Sequence, residues 1–236
     1  MPNISNYRAR RRAKCVRLLQ HHRANRRAWA NRHANWGNAE WSHCLFTDET
    51  RFNLIHSDGR MLVWRGPNQR YLEENMAPQE AFGGGGVTVW GGIIRNGKTE
   101  LFITNQTVNA TVYQEEILEP IVVPFARNYG LEFLLVDDNA LPHRARRITE
   151  FLQAQNTNRM DWPAKSPDLN VIEHVWSYLK LKVRSRDVPP ENLELLSEAI
   201  REEWENIPQD FINNLVDSLP NRCREVIRRA GGPTKY

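Results

Sequence analysis

A short apolar run with two aspartates at its end is the feature that most constrains the fold of this chain. Residues 131–136 read LEFLLV, and Asp137 and Asp138 follow at once. Such a run is typical of a central strand that is buried on both faces of a sheet. We therefore expect a sheet covered by helices, with two like charges at the carboxyl end of its central strand. Because both faces are buried, strand phase alone does not decide which aspartate faces a site.

A second strand is predicted over residues 44–54, where apolar and polar residues alternate. The alternation puts Asp48 on the apolar face with Phe46, whereas Glu49 and Arg51 lie on the other, more polar face. A carboxylate on an apolar face is costly unless it is paired or bound to a metal ion. Pairing with Arg51 is the simpler alternative, although Arg51 belongs to the opposite face.

Hairpins are predicted around two glycine-containing turns. SDGR (57–60) indicates a turn, after which MLVW (61–64) returns as a strand. GIIRNGKT (92–99) matches the phosphate-binding pattern GxxxxGK[ST]. A phosphate-binding loop needs a helix after it, whereas both flanks here are rich in strand-forming residues and Asn96 precedes a glycine. We expect a β-hairpin here and not a nucleotide site.

A helix is predicted to begin after the extended segment WPAKSPDLN, residues 162–170. Asn170 suits the N-cap position, with Glu173 three residues further on. One apolar face of this helix would pack on the sheet; its residues are Ile172, Val175, Trp176, Leu179 and Val183. Glu173 lies beside that face, so it either completes a capping box with Asn170 or borders a functional site.

Carboxylates from three distant segments are therefore candidates for one site: Asp48, one of the pair Asp137 and Asp138, and Glu173. Oxygen ligands of this kind suit Mg²⁺ or Mn²⁺. Two such ions, about 3.5–4 Å apart, clamp the attacking and leaving oxygens of a phosphoryl displacement. The alternative for the aspartates is a turn that caps the following helix.

The charge of the chain is asymmetric. Residues 1–38 hold ten Lys and Arg and no acid, which leaves 22 basic and 28 acidic residues in the remainder. A basic helical arm is typical of polyanion binding or of a nuclear import signal such as RARRRAK (8–14), and a merely solvated helix is the third interpretation. No apolar run reaches the roughly 18 residues of a membrane span. The three cysteines are too scattered for a disulfide framework or a zinc site.

Six segments resemble, in order, the signature blocks of the Tc/mariner superfamily of transposases, in its Tc-type branch. They are LFTDETRFNL, DGR…VWR, VTVWGGI, DDNALPH, WPAKSPDLNVIEHVW and the terminal GGPTKY. The resemblance runs from about Trp41 to Tyr236. It implies a mixed α/β, RNase H-like fold: a mixed five-stranded sheet with the first three strands antiparallel, flanked by helices.

The resemblance also implies a catalytic triad of Asp48, Asp138 and Glu173, which binds Mg²⁺ or Mn²⁺, as two ions. Asp138 is selected because it directly precedes Asn-Ala, and because 34 residues separate it from Glu173, the interval of the Tc-type branch. Asp137 stands where the family usually has an uncharged polar residue, and its role stays open. His143 and His174 match family positions, and we interpret them as positioning residues.

The function implied by the resemblance is metal-dependent cleavage of double-stranded DNA at the ends of an element, followed by strand transfer into TA target sites. A homodimer in the nucleus is expected. We divide the chain into a basic helical arm (1–40) and a catalytic domain with C-terminal helices (41–236). The predicted DNA contacts lie in the arm: Arg8, Arg10, Arg11, Arg12, Lys14, Arg17, Arg23, Arg26 and Arg27.

Two other functions remain open at this point. Family members carry two helix-turn-helix modules before the catalytic domain, and residues 1–40 are too short for them. A truncated or domesticated copy is therefore expected, and a catalytically silent DNA-binding or interaction protein is the main alternative. An RNase H-like nuclease acting on RNA–DNA hybrids fits the carboxylates but not the six blocks.

Overall fold

The alternating segment forms the longest strand of a mixed sheet in the computed structural model, which describes residues 16–54 and 85–236. Strand β1 (Cys44–Asn53) pairs antiparallel with β2 (Gly86–Ile94). On its other side β2 pairs antiparallel with β3 (Gly97–Lys98) and β4 (Phe102–Thr104). The hairpin predicted over 57–64 lies outside the described residues.

Two shorter strands extend the sheet on the other edge of β1. Strand β5 (Leu134–Val136) runs parallel to β1, and β6 (Asn158–Arg159) runs parallel to β5. The order is β3-β2-β1-β5-β6, with β4 also on β2. Because β3 and β4 share the edge of β2, the sheet is five strands wide, and its first three positions are antiparallel as expected.

The segment that matches the phosphate-binding pattern is a hairpin, as predicted. Ile94 pairs with Gly97 across the turn, and Asn96 has a positive φ of 68°. Asparagine tolerates this left-handed conformation better than most residues. Strand β3, and not a helix, follows the loop directly, so the loop lacks the strand–loop–helix arrangement that binds phosphate.

Helices cover both faces of this sheet. In the described ranges they are α1 (Gln20–Arg32), α2 (Asn38–Trp41), α3 (Ala110–Val112), a π-helical segment (Tyr113–Val122), α4 (Val123–Tyr129), α5 (Arg146–Ala154), α6 (Ile172–Arg184), α7 (Leu193–Glu205), α8 (Gln209–Asp217) and α9 (Leu219–Arg228). Pro120 lies inside the π-helical segment and Pro124 lies in the first turn of α4, and the helical path continues through both prolines. None of these helices has the length and apolar character to cross a bilayer.

Two apolar clusters lie on opposite faces of the sheet. Phe46 and Val136 belong to the cluster that also contains residues of α6, whereas their neighbours Leu45 and Leu135 belong to the cluster with Tyr113. The first half of the β1 face that was predicted to be more polar is therefore covered as well, since Leu45 and Thr47 are buried, whereas Arg51 and Asn53 in its second half are exposed as predicted. The central position of β1 explains this, because helices pack on both of its faces.

Helix α1 packs against the body of the molecule, although it belongs to the predicted arm. Trp29 and Ala30 are buried, and the Trp29 ring lies 5.0 Å from that of Trp162 and 6.1 Å from that of Trp41. The chosen boundary near residue 40 therefore does not coincide with a gap in the packing.

Candidate active site

The three predicted carboxylates line one cavity of about 360 Å³. Asp48 lies within β1, Asp138 follows the end of β5, and Glu173 is in the first turn of α6. The strand register explains why the two aspartates meet. Phe46 is the parallel partner of Val136, and each aspartate stands two residues further along its strand. Residues two apart share a face, so both carboxylates project from the same side of the sheet.

Asp48 is the most strongly perturbed of the three. Burial raises the pKa of Asp48 to about 8, and the nearby Glu173 and Glu49 carboxylates add to the shift. Arg51 does not neutralise Asp48, since its Nε donates to Asn53 Oδ1 at 3.2 Å. The simpler alternative from the sequence is therefore wrong. A cation in the cavity would favour the charged form of Asp48, which burial opposes.

Asp138 faces the cavity with its side chain half exposed. Its Oδ1 accepts hydrogen bonds from the Ala140 backbone N–H at 2.8 Å and from His143 Nδ1 at 2.9 Å. Burial acts to raise the pKa of Asp138, but these hydrogen bonds outweigh it and lower the pKa. Asp138 does not cap the next helix, because Ala145 holds the N-cap position of α5.

Asp137 points to the other face of the sheet, away from the cavity. Its carboxylate lies 3.2 Å from Arg144 Nη2 and 3.6 Å from Arg159 Nη1, and Tyr113 donates its hydroxyl to Oδ2 at 3.4 Å. Burial raises the pKa of Asp137 in spite of both guanidinium groups. Asp137 therefore belongs to a buried polar cluster, and the question that the sequence left open has a structural answer.

Glu173 owes its position to a contact that differs from the predicted capping box. Val171 is the N-cap residue of α6 and makes no side-chain cap, while Asn170 Nδ2 donates to the Thr47 carbonyl oxygen at 3.1 Å. The prediction of Asn170 as N-cap is thus wrong, because its buried amide satisfies the backbone of β1 beside Asp48 instead. This bond ties the start of α6 to the strand that carries the first carboxylate.

Lys180 is a neighbour of the site that sequence reasoning missed. Its Nζ donates to Thr50 Oγ1 at 2.6 Å. Burial raises the pKa of Glu173, and the charge of Lys180 opposes that shift. The sequence signal that could have identified Lys180 is its position seven residues after Glu173, because residues seven apart lie on the same side of a helix.

The loop before Glu173 is anchored by an arginine from α1. Arg26 Nη1 and Nη2 donate to the two carboxylate oxygens of Asp168, each at 2.7 Å, and Arg26 Nε donates to the Gly231 carbonyl at 3.0 Å. The Thr234 backbone N–H donates to Asp168 Oδ2 at 2.9 Å. One ion pair therefore joins α1, the loop before α6 and the C-terminal segment.

This ion pair corrects the prediction that Arg26 contacts DNA. Arg26 is 0% exposed, because it lies three residues before Trp29 and four before Ala30, on the buried face of α1. Arg17, Arg23 and Arg27 are exposed and lie outside the cavity. The remaining predicted contacts, Arg8, Arg10, Arg11, Arg12 and Lys14, lie outside the described residues.

The two histidines lie in different surroundings. His143 is buried beside Asp138; burial alone would lower its pKa, but hydrogen bonds to Asp138 and Glu49 raise it to about 10. His174 is half-buried and lines a neighbouring cavity of about 530 Å³ that shares Glu173 and Lys165 with the first.

The donor set of the cavity fits a divalent cation. Three carboxylates supply hard oxygen ligands, and their mutual repulsion is the condition that a cation relieves. Across residues 16–54 and 85–236, no three His, Cys, Asp or Glu side chains form a group that is already arranged to hold a metal ion. The suitability of this cavity for a divalent cation therefore rests on its carboxylate oxygens and on the fact that all three carboxylates line it.

Comparison with known families and proteins places these residues in context. The family model described as the DDE superfamily endonuclease matches residues 43–195, which include all three carboxylates. The Tcb2 transposable element transposase of Caenorhabditis briggsae is 35% identical over 228 residues, 96% of this chain and 82% of the relative. The Tc1 transposase of Caenorhabditis elegans is 34% identical over 220 residues, 93% of this chain and 80% of the relative.

Solved structures support the fold. The Mos1 mariner paired-end complex with Mn superposes with a TM-score of 0.81 at 16% identity, over 98% of this chain and 69% of that one. The catalytic domain of Mos1 mariner transposase superposes with a TM-score of 0.67 at 14% identity, over 95% of this chain and all of that one. The α/β, RNase H-like fold expected from the sequence is confirmed.

Proposed function

The chain belongs to the Tc1/mariner transposases and carries their DDE catalytic domain, and from this premise we propose that it cleaves DNA at the ends of a transposable element and joins the freed 3′ ends to TA target sites. The observation that carries the proposal is the cavity shared by Asp48, Asp138 and Glu173. In this reaction the three carboxylates hold Mg²⁺ or Mn²⁺, as two ions. Solved complexes of the related Mos1 transposase are described with Mn and with Mg.

Asp48 and Asp138 are held in place by different contacts. Asp48 is held by its place in the β1–β2 ladder, opposite Gly91. Asp138 is oriented by the Ala140 N–H and by His143. Bound ions would activate the attacking oxygen and stabilise the leaving oxygen of the phosphodiester. The role of the chain is therefore to keep its oxygen ligands in position on rigid elements, which is the requirement for an in-line displacement.

Double-stranded DNA is the proposed partner, and the charge of α1 supports it. Arg23 and Arg27 of α1 are exposed, as is Arg17 just before it, and all three would contact phosphates without reading sequence. Mos1 relatives are described in paired-end and strand-transfer complexes. Since two ends have to be joined, we propose a homodimer as the working unit, and residence in the nucleus, where the substrate lies.

The test is an end-cleavage and joining assay on labelled duplexes with MgCl₂ or MnCl₂. The duplexes carry the inverted repeats and TA dinucleotides that border the element. We expect nicked and joined products from the unmodified chain and none from Asp48→Asn, Asp138→Asn or Glu173→Gln. Asp161→Asn is the matched control, because Asp161 carries an exposed carboxylate that pairs only with Arg32 at 3.1 Å in the described part of the chain.

Three other results would decide against the proposal. DNA binding without cleavage and without Mn²⁺ binding by the unmodified chain would favour a catalytically silent DNA-binding protein. Cleavage of RNA–DNA hybrids in preference to duplex DNA would favour an RNase H-like nuclease. Full activity in Asp138→Asn would show that Asp138 is not one of the catalytic groups.

A further inference from the structure

His143 lies between two carboxylates, that of Glu49 within β1 and that of Asp138 just after the end of β5. Its Nδ1 is 2.9 Å from Asp138 Oδ1, and its Nε2 is 3.1 Å from Glu49 Oε1. The imidazole is 3% exposed and packs against the Tyr113 ring, with 4.1 Å between the ring centroids. Arg159 Nη1 donates to the His143 carbonyl oxygen at 2.8 Å, which holds the backbone as well.

The three groups can form both hydrogen bonds at the same time. Ionised carboxylates only accept hydrogen bonds, and an imidazolium donates through both nitrogens. The His143 ring bonds to Glu49 and Asp138 at once, and hydrogen bonds to an ionised carboxylate are stronger than neutral ones. The ring cannot rotate without losing both bonds, so the position of Glu49 determines where the Nδ1–H points.

Glu49 itself does not face the three-carboxylate cavity. It follows Asp48 on β1, so its side chain projects from the opposite face of the strand. It lines a different cavity, of about 290 Å³, together with His143. Its contact with Asp138 is thus made only through the imidazole.

We propose that Glu49 is a positioning residue of the active site, which acts through His143 to fix the carboxylate of Asp138. The proposal rests on the proposed function, because Asp138 needs a fixed orientation only if it holds a metal ion. The arrangement resembles the outer hydrogen bonds that orient metal ligands, whose loss typically lowers metal affinity or activity by about 10- to 100-fold. Here the oriented ligand is a carboxylate, and the imidazole ring of His143 transmits the restraint.

The test is a double-mutant cycle that measures Mn²⁺ affinity by calorimetry, with a thermal melt to confirm that each variant is folded. We expect Glu49→Gln and His143→Ala each to weaken Mn²⁺ binding by about 10- to 100-fold. If Glu49 acts through His143, Glu49→Gln causes no further loss in the His143→Ala background. A direct effect of the Glu49 charge on the ion would persist in that background, and that result would overturn the proposal.

Two further variants test the two contacts of the Glu49–His143–Asp138 bridge separately. The amide of asparagine reaches the position of Nδ1, and that of glutamine reaches the position of Nε2. His143→Asn therefore keeps the contact to Asp138 and is expected to retain more Mn²⁺ affinity than His143→Gln, which keeps only the contact to Glu49. Equal affinities for these two variants would contradict the proposal.

A matched control is available at the other end of the sheet. His43 Nε2 lies 3.1 Å from Glu132 Oε2, the same distance as in the bridge, but far along β1 and β5 from the carboxylate cavity. Glu132→Gln should leave Mn²⁺ affinity unchanged. Failure of the unmodified chain to bind Mn²⁺ would overturn the proposed function and this inference together. Normal binding by the unmodified chain with unchanged binding by Glu49→Gln would overturn the inference alone.

Discussion

Asp137 and Asp138 are consecutive in the chain, yet their carboxylates lie on opposite faces of the sheet. Asp138 Oδ1 accepts from His143 Nδ1 at 2.9 Å beside the carboxylate cavity, while Asp137 lies 3.2 Å from Arg144 Nη2 and 3.6 Å from Arg159 Nη1 on the other side. The cause is the alternation of side chains along an extended backbone. Asp138 therefore faces the carboxylate cavity, whereas Asp137 belongs to the buried polar cluster.

We expect the neutralisation of Asp138 to affect DNA cleavage and the neutralisation of Asp137 to affect stability. Asp138→Asn should abolish DNA cleavage and leave the melting temperature nearly unchanged. Asp137→Asn should retain cleavage but lower the free energy of unfolding by about 2 kcal/mol, because Arg144 and Arg159 lose a buried partner. Cleavage assays and denaturant unfolding, run on both variants, measure the two effects. The reverse pattern would mean that Asp137 is the catalytic group.

The raised pKa of Asp48 predicts that the metal-free protein loses stability as the pH rises. Its pKa is about 8 in the folded state against an ordinary value of 3.8, so the folded state binds the proton more tightly. The contribution of Asp48 is therefore present at low pH and is lost as the pH rises toward 8, at up to about 1.4 kcal/mol per pH unit.

Unfolding in EDTA between pH 5 and pH 9 measures this effect. The difference between the unmodified chain and Asp48→Asn should change with pH in favour of the variant, since asparagine does not ionise. Mn²⁺ at about 100 times its dissociation constant should restore about 2.7 kcal/mol to the unmodified chain. A pH-independent difference would show that Asp48 titrates normally.

The Arg26–Asp168 pair should be among the most important ion pairs for stability. Arg26→Ala leaves a mostly buried carboxylate uncompensated and should lower the free energy of unfolding by about 3–5 kcal/mol. Arg32→Ala is the control on the same helix: the Arg32 and Asp161 side chains are 57% and 90% exposed, so its loss should cost less than about 1 kcal/mol. Similar losses for the two variants would contradict the assignment of Arg26 as a structural residue.

The exposed arginines of α1 should account for part of the salt dependence of DNA binding. Each phosphate contact that is lost reduces the slope of log K against log salt by about 0.9. Arg23→Gln and Arg27→Gln should each lower the slope by about that amount, on any duplex sequence. Arg127→Gln is the control, because Arg127 is exposed on α4, which packs on the other face of the sheet from Trp29. Fluorescence anisotropy at several KCl concentrations measures the slopes.

Much of the fold and the candidate carboxylates followed from local patterns in the sequence, whereas the resemblance to the family selected Asp138 over Asp137. Alternation along β1 put Asp48 on the face that borders the cavity, and Asn96 with Gly97 predicted the hairpin that excludes a phosphate-binding loop. The contact of Asn170 could not be predicted from its local sequence. Its sequence context favours an N-cap, but its amide satisfies the Thr47 carbonyl of a distant strand.

The sequence by itself therefore determined which elements form and which carboxylates are candidates, because periodicity and turn chemistry act over a few neighbouring residues. The tertiary structure alone decided the partners of the charged side chains. Arg26 meets Asp168 across 142 positions of the chain, and Glu49 meets His143 across 94. Burial makes an unpaired charge costly, but it does not specify the partner. The register of β1 against β5 and the packing of α1 bring each pair together, and neither can be derived from residues near it in the chain.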